Sequence, residues 1–246
     1  MVGEGGERRG AGRGVRRVHP YDALHGIDTG SLIPGELLAT GHRHDRHITA
    51  YHGTAPSLFR KVMARWLAVA RHPVEKTAFV DVGAGKGRAM LLAAETPFRR
   101  IVGVELHPAL AAAARENTEH WQLTNTGPPM RVEEADAMQF RLPAGPCVLF
   151  LFNPFGAVLM DRFLLRLHHH FASRADELDL VYVNDEQRPI LQQEHGAFRE
   201  LWRGRIFMSH EDRDADKATI AHDAHGLYVT TGYEDCGIWR YAPKGR

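Results

Sequence analysis

The densest concentration of usable chemistry in this 246-residue chain is Asp81-Val82-Gly83-Ala84-Gly85-Lys86-Gly87-Arg88, where glycines alternate behind a carboxylate. Glycines at Gly83, Gly85 and Gly87 let the backbone adopt positive φ and leave no Cβ in the way, so a ligand can lie against the main chain. Asp81 sets the sign of the charge that such a ligand would meet. Glu105, about twenty residues after the turn, can accept two hydrogen bonds from ribose hydroxyls, a requirement shared by many nucleoside sites. Asn153-Pro154-Phe155-Gly156 offers an amide oxygen that can accept from a nitrogen and aim its lone pair, and an aromatic face suited to a cation or a flat substrate. Asn-Pro is also a turn initiator, and that reading stands beside the chemical one.

The surrounding pattern supplies the elements that would position these residues. Phe79 and Val80 lead into the glycines, and the run Ala89-Met90-Leu91-Leu92-Ala93-Ala94 follows at once, which reads as strand, tight turn, helix. Ahead of it, Leu58, Val62, Met63, Trp66, Leu67 and Ala70 recur at helical spacing and predict a helix packed on one side of a sheet. Behind it, a strand over 101–104 closes on Glu105, and a helix runs from 108 to about 123. A third strand starts at Met130 and passes into a loop by Phe140. The wholly apolar run 147–152 predicts a strand covered on both faces. A helix over 158–171, a strand over 180–183 and a helix over 188–195 continue the alternation. Strands near 201–208, 226–230 and 237–241 then suit a terminal antiparallel hairpin. The sum is an α/β fold: a doubly wound, mostly parallel seven-stranded sheet with a C-terminal antiparallel hairpin.

Spacing separates the nucleotide ligands that such a turn could serve. The dinucleotide fingerprint needs glycine or alanine three positions after Gly85, where Arg88 stands, and a phosphate-binding loop needs Ser or Thr after Lys86, where Gly87 stands. Asp81 would also oppose a pyrophosphate. The remaining pattern, D-x-G-x-G-x-G, closely resembles motif I of the class I S-adenosylmethionine-dependent methyltransferases. That resemblance implies S-adenosyl-L-methionine as cofactor, with Asp81, Gly83, Ala84, Gly85 and Gly87 forming its loop and Glu105 its ribose contact. It places Asp136 and Ala137 at the adenine, although a lone Asp after a strand is also a common turn former. It places Tyr51 and Thr54, just before the first strand, over the methionine end and Asn153 beside the cofactor; Pro56 in a helical first turn explains Thr54 equally well. Asn153, Pro154 and Phe155 partly resemble the Asn/Asp-Pro-Pro-Tyr/Phe motif of N-methyltransferases, with one proline missing. The resemblance therefore implies methyl transfer to nitrogen, in a protein lysine or a small-molecule amine. A nicotinamide-dependent oxidoreductase on the same sheet and a non-catalytic S-adenosylmethionine-binding module remain as alternatives.

Composition narrows the partners. With 31 Lys+Arg against 30 Asp+Glu there is no whole-protein basic field, so a protein or small-molecule acceptor is favoured over nucleic acid. Two distant cysteines, Cys147 and Cys236, and no secretory leader suit free thiols in a reducing cytoplasm. No apolar run reaches membrane-spanning length. Residues 1–18, rich in glycine and arginine, read as a flexible tail, and 19–246 as a single methyltransferase domain with an N-terminal extension. His42, His44, Asp45 and His47 are metal-ligating types at short spacing, but with 16 histidines through the chain and no supporting motif they predict no metal site.

Overall fold

The structure is a computed structural model that describes residues 18–47, 49–223 and 228–243. Most of the expected tail lies outside the described residues. The polar N-terminal extension is built of short pieces: α1 (Pro20–His25), β1 (Leu32–Ile33) and β2 (Tyr51–His52), with β1 and β2 paired antiparallel. The apolar helical spacing then gives α2 (Pro56–Leu67), which buries Leu58, Phe59, Val62, Met63 and Trp66.

The alternation that follows is β3 (Ala78–Val82), α3 (Arg88–Ala93), β4 (Arg100–Glu105), α4 (Pro108–Thr124) and β5 (Met130–Glu134). It continues with β6 (Cys147–Phe152), α5 (Ala157–Phe171), β7 (Leu178–Val183) and α6 (Arg188–Gln193), and ends with β8 (Phe198–Phe207), α7 (His210–Asp223) and β9 (Tyr233–Tyr241). Seven strands form one sheet in the order β5-β4-β3-β6-β7-β9-β8, parallel from β5 to β7 and antiparallel across β7, β9 and β8.

Two apolar layers flank this sheet, and the two-residue period of β3 divides its side chains between them. Phe79 packs with α2 and α3, while Ala78, Val80 and Val82 pack with α5 and α6. Asp81 shares the face of Phe79, so its carboxylate is carried inside the molecule at the carboxyl end of the sheet. The chain order reverses between β4-β3 and β6, and the crevice beyond that point is where parallel sheets bind ligands.

The terminal hairpin differs from the expected one. Residues 228–230 are not strand, 226 and 227 lie outside the described residues, and α7 stands between β8 and β9. That helix has few apolar positions, so its periodicity is faint. It is started by Ser209, whose hydroxyl accepts from the Asp212 N–H at 3.1 Å. Among the described residues no helix is long and apolar enough to cross a membrane.

Candidate active site

Beyond the carboxyl ends of the strands lies a cavity of about 600 Å³, roofed by the N-terminal extension and by α7. That volume is in the range of small-molecule sites. Its floor is the glycine turn. Gly83 has φ 80, and a Cβ there would stand 3.3 Å from the Pro154 Cβ, so a side chain would be strained in that backbone and would crowd the Asn-Pro segment. Gly83 and Ala84 face the cavity, whereas Gly85 and Gly87 do not line it. A Cβ on Gly85 would meet the Tyr51 ring at 2.1 Å, and one on Gly87 would lie 3.4 Å from Ala114 of α4. Gly85 thus admits the roof, while Gly87, whose Cβ would make only ordinary contact, serves through its φ of 88.

The amides of the turn are already taken. The N–H groups of Gly83 and Ala84 both donate to the Val104 carbonyl, Gly85 N–H to Glu105 Oε2 at 2.7 Å, and Gly87 N–H to the Ala84 carbonyl. The amides of Gly83, Ala84, Gly85 and Gly87 are therefore not free to cradle a pyrophosphate.

Three carboxylates stand at the ends of successive strands. Asp81 is buried, and among the described residues nothing donates a hydrogen bond to its carboxylate; burial, reinforced by the neighbouring Glu105, pushes its pKa up to about 8. Glu105 accepts from Gly85 N–H and, through Oε1, from His107 N–H at 2.8 Å, while burial raises its pKa against those bonds. A carboxylate has about four acceptor sites, so both Glu105 oxygens keep capacity toward the cavity. Asp136 turns the chain after β5 by accepting from Met138 N–H at 2.8 Å. Its other oxygen is approached by His44 at 3.5 Å, Arg43 at 3.7 Å and His42 at 3.9 Å. The histidine cluster thus covers Asp136, with Ala137 beside it on the cavity wall. Among the described residues no three His, Cys, Asp or Glu are grouped to hold a metal ion.

Beside β3, β6 delivers Asn153, Pro154 and Phe155 to the same cavity. Asn153 has φ 41, a left-handed conformation that Asn tolerates better than most residues. Its backbone carbonyl accepts from Thr49 Oγ1 at 2.9 Å, and its side-chain Oδ1 accepts from the buried Tyr182 hydroxyl at 3.3 Å. The turn role and an aimed amide coexist in one residue. Phe155 leans edge-on against Phe163, with ring centres 5.4 Å apart.

The roof is bolted on by Arg88, which is buried at the start of α3. Its Nε donates to Thr29 Oγ1 at 2.6 Å, its Nη1 to the Gly53 carbonyl, and its Nη2 to both oxygens of buried Asp22. Gly53 is obligatory here, since a Cβ would stand 2.7 Å from the Thr29 carbonyl and 2.8 Å from the Arg88 guanidinium. Tyr51 lines the cavity and donates its hydroxyl to the Thr29 carbonyl at 2.7 Å. Thr54, buried at the wall, does not cap α2; Ala55 holds that position. Sequence reading missed Arg88 as a fastener and missed His52, Asp216 and Glu234 in the lining. The buried pair Asp212 and Asp216, four apart on α7, was the one available signal of an inward polar face.

The glycine turn, the Asp136 turn and the Asn153 turn fall close to one contiguous match. Residues 80–153 fit the family described as a methyltransferase domain. Over these residues the chain carries a methyltransferase domain. Among solved structures, the methyltransferase is similar to a candidate RNA methyltransferase from Pyrococcus horikoshii, at 13% identity, TM-score 0.51, over 75% of this chain and 83% of that one. It also aligns with a magnesium protoporphyrin IX methyltransferase from Synechocystis with bound S-adenosylmethionine, at 14% identity and TM-score 0.49, over 76% of this chain and 79% of that one. The likeness is one of fold. Among curated proteins no sequence match was found.

Proposed function

We propose that this methyltransferase acts on nitrogen, in a protein lysine or a small-molecule amine, and that the cavity carboxylates hold its cofactor. The observation that carries the acceptor reading is Asn153: its amide is fixed by Tyr182 and by a left-handed backbone, and it lines the cavity at the end of the strand next to that of Asp81. An acceptor there can donate to the second lone pair of Oδ1, which aims the attacking nitrogen; Phe155 beside it limits the approach. Pro154 holds both against Gly83.

For the cofactor, Asp81 would take the ammonium, Glu105 the ribose hydroxyls, and Asp136 the exocyclic amine of adenine, with Ala137 against the ring. The residues fit the group on the donor set alone. A buried carboxylate without a donor suits a cation. Gly83 and Ala84 give the backbone contact, Tyr51 and Thr54 close the methionine end, and behind them Gly85 admits Tyr51 and Gly87 supplies a left-handed backbone. The cofactor supplies an electrophilic methyl group when bound. The protein's part is alignment and exclusion of water, which suffice for a direct displacement. The reading takes 19–246 as one domain with its extension as roof, residues 1–18 as a flexible tail, and the cytoplasm as its compartment, consistent with two free buried cysteines.

The test is transfer of a tritiated methyl group by the full chain into a cell lysate, with the product sorted by protease and nuclease sensitivity and then by mild alkali. An N-methyl product keeps its label in alkali. Release as methanol would identify a carboxyl ester and refute the nitrogen assignment, and nuclease-sensitive label would refute the acceptor class.

A further inference from the structure

Asp81, Glu105 and Asp136 are not the only carboxylates in the cavity; Glu186, Asp216 and Glu234 also line it. The first three follow β3, β4 and β5, where the cofactor reading uses them. The others stand on the loop after β7, on α7 and at the start of β9. Among the described lining residues Arg88 is the one arginine or lysine, and its guanidinium is engaged by Asp22, Thr29 and Gly53. This end of the cavity is therefore negatively poised.

Asp216 is the informative member. It is 2% exposed, its Oδ2 has no hydrogen-bond partner, and its Oδ1 is 3.7 Å from His52 Nε2, beyond hydrogen-bond reach. His52 does not neutralise it, because burial, helped by Arg88, pushes that imidazole down to about 4. Burial, then Asp212 and Glu234, push the Asp216 carboxyl up to about 7 against the opposing pull of Arg88; burial, then Asp235 and Glu186, push Glu234 up to about 7. The neighbouring acids have partners: Asp212 accepts from Ser57 N–H at 2.7 Å, and Asp235 from Arg205 at 3.2 Å. An unpartnered carboxylate costs several kcal/mol to bury in ionised form, and a cation brought to it recovers that cost. Among the described residues these acids do not group as metal ligands, so the charge answers a larger, organic cation. Met208, Ile220 and Val229 supply apolar wall for an alkyl stem on the same side.

We propose that the α7/β9 end of the cavity is an acceptor-recognition subsite that binds an organic cation, a primary ammonium or guanidinium group carried on an alkyl stem, through Asp216 and Glu234. The proposal rests on the methyltransferase reading only in assigning that cation to the acceptor. No proton transfer is assigned to these carboxylates.

Ligand-observed NMR titration of the full chain with butylammonium and butylguanidinium, against 1-pentanol and butyrate, tests it in the presence and absence of S-adenosylhomocysteine. Both cations are expected to bind with dissociation constants on the order of millimolar, and the neutral and anionic probes at least ten-fold more weakly. Asp216→Asn and Glu234→Gln should each weaken the cations by about ten-fold, the loss of one charge-assisted contact, and leave S-adenosylhomocysteine affinity within about two-fold. Glu234 is only half-buried, so Glu234→Gln remains informative if Asp216→Asn fails to fold. Equal binding of pentanol and butylammonium, or cation affinity unmoved in Glu234→Gln, would overturn the subsite. Failure of S-adenosylhomocysteine to bind would count against the cofactor assignment instead, and the cation titration without it would still decide the subsite.

Discussion

Asp81→Asn should make the apoprotein more stable and the cofactor-binding protein worse, and the two effects have opposite pH dependence. The wild-type carboxyl ionises at about 8 when folded against 3.8 as the ordinary value. Between those limits the folded state holds a proton that the unfolded chain has released, so stability falls as pH rises, by about 1.4 kcal/mol per pH unit for this group. From pH 5 to pH 7 the contribution lost is about 3 kcal/mol. Asn cannot ionise, so the variant lacks that slope. Asp216 and Glu234 titrate in the same sense, which is why the difference between wild type and variant, rather than either curve, is the measured quantity. Binding runs the other way: a cationic ligand needs the ionised form, so wild-type affinity for S-adenosylhomocysteine should climb up to ten-fold per pH unit toward pH 8 and release close to one proton at pH 7. In Asp81→Asn the affinity should be roughly ten-fold or more lower and the Asp81 share of proton release absent. Urea denaturation from pH 5 to 8, with calorimetric titration in two buffers of different ionisation enthalpy, measures all of this. Parallel stability curves, or equal proton release, would refute the placement of an uncompensated Asp81 at the ammonium.

Asn153→Gly keeps a residue at ease at φ 41 while removing the amide, so it should leave folding and cofactor affinity nearly intact and slow single-turnover transfer by roughly a hundred-fold; a rate within a few-fold of wild type would reduce Asn153 to a turn former. Arg88→Met should cost about 3 to 5 kcal/mol in denaturant unfolding by stranding buried Asp22, and adding Asp22→Asn should recover part of it; additive losses would show that the pair is not coupled. Glu105→Gln retains one acceptor for Gly85 but sets an amide against His107 N–H, so S-adenosylhomocysteine affinity should fall by roughly ten-fold or more. An unchanged dissociation constant would remove Glu105 from the ribose site.

The sheet was legible because its evidence is local and apolar. β6 has the predicted bounds 147–152, and the glycine turn and Glu105 sit where alternating glycines and a strand-end acid imply. The roof was not legible for the complementary reason. α7 meets the molecule through Asp212 and Asp216, and the extension through Asp22, Thr29 and His19, so neither leaves an apolar period to read. Spacing also cannot say which side of a turn a glycine serves: Gly83 faces the cavity while Gly85 yields to a Tyr51 that lies 34 positions earlier in the chain. Asp136 was read from its order after β5, but the histidines that surround it come from a segment with no helical or strand period of its own.

The roof joins segments far apart in the chain: the Leu32 N–H donates to Asp223 Oδ2 across 191 positions, and the Ser57 N–H to Asp212 Oδ2 across 155. During synthesis the N-terminal extension leaves the ribosome long before α7 exists. Through that interval Leu32, Ser57, His19 and His52 lack the carboxylates that later face them, and the cavity has a floor but only half a roof. A nascent chain cut short before α7 would therefore carry the whole glycine turn and still lack both of these roof contacts.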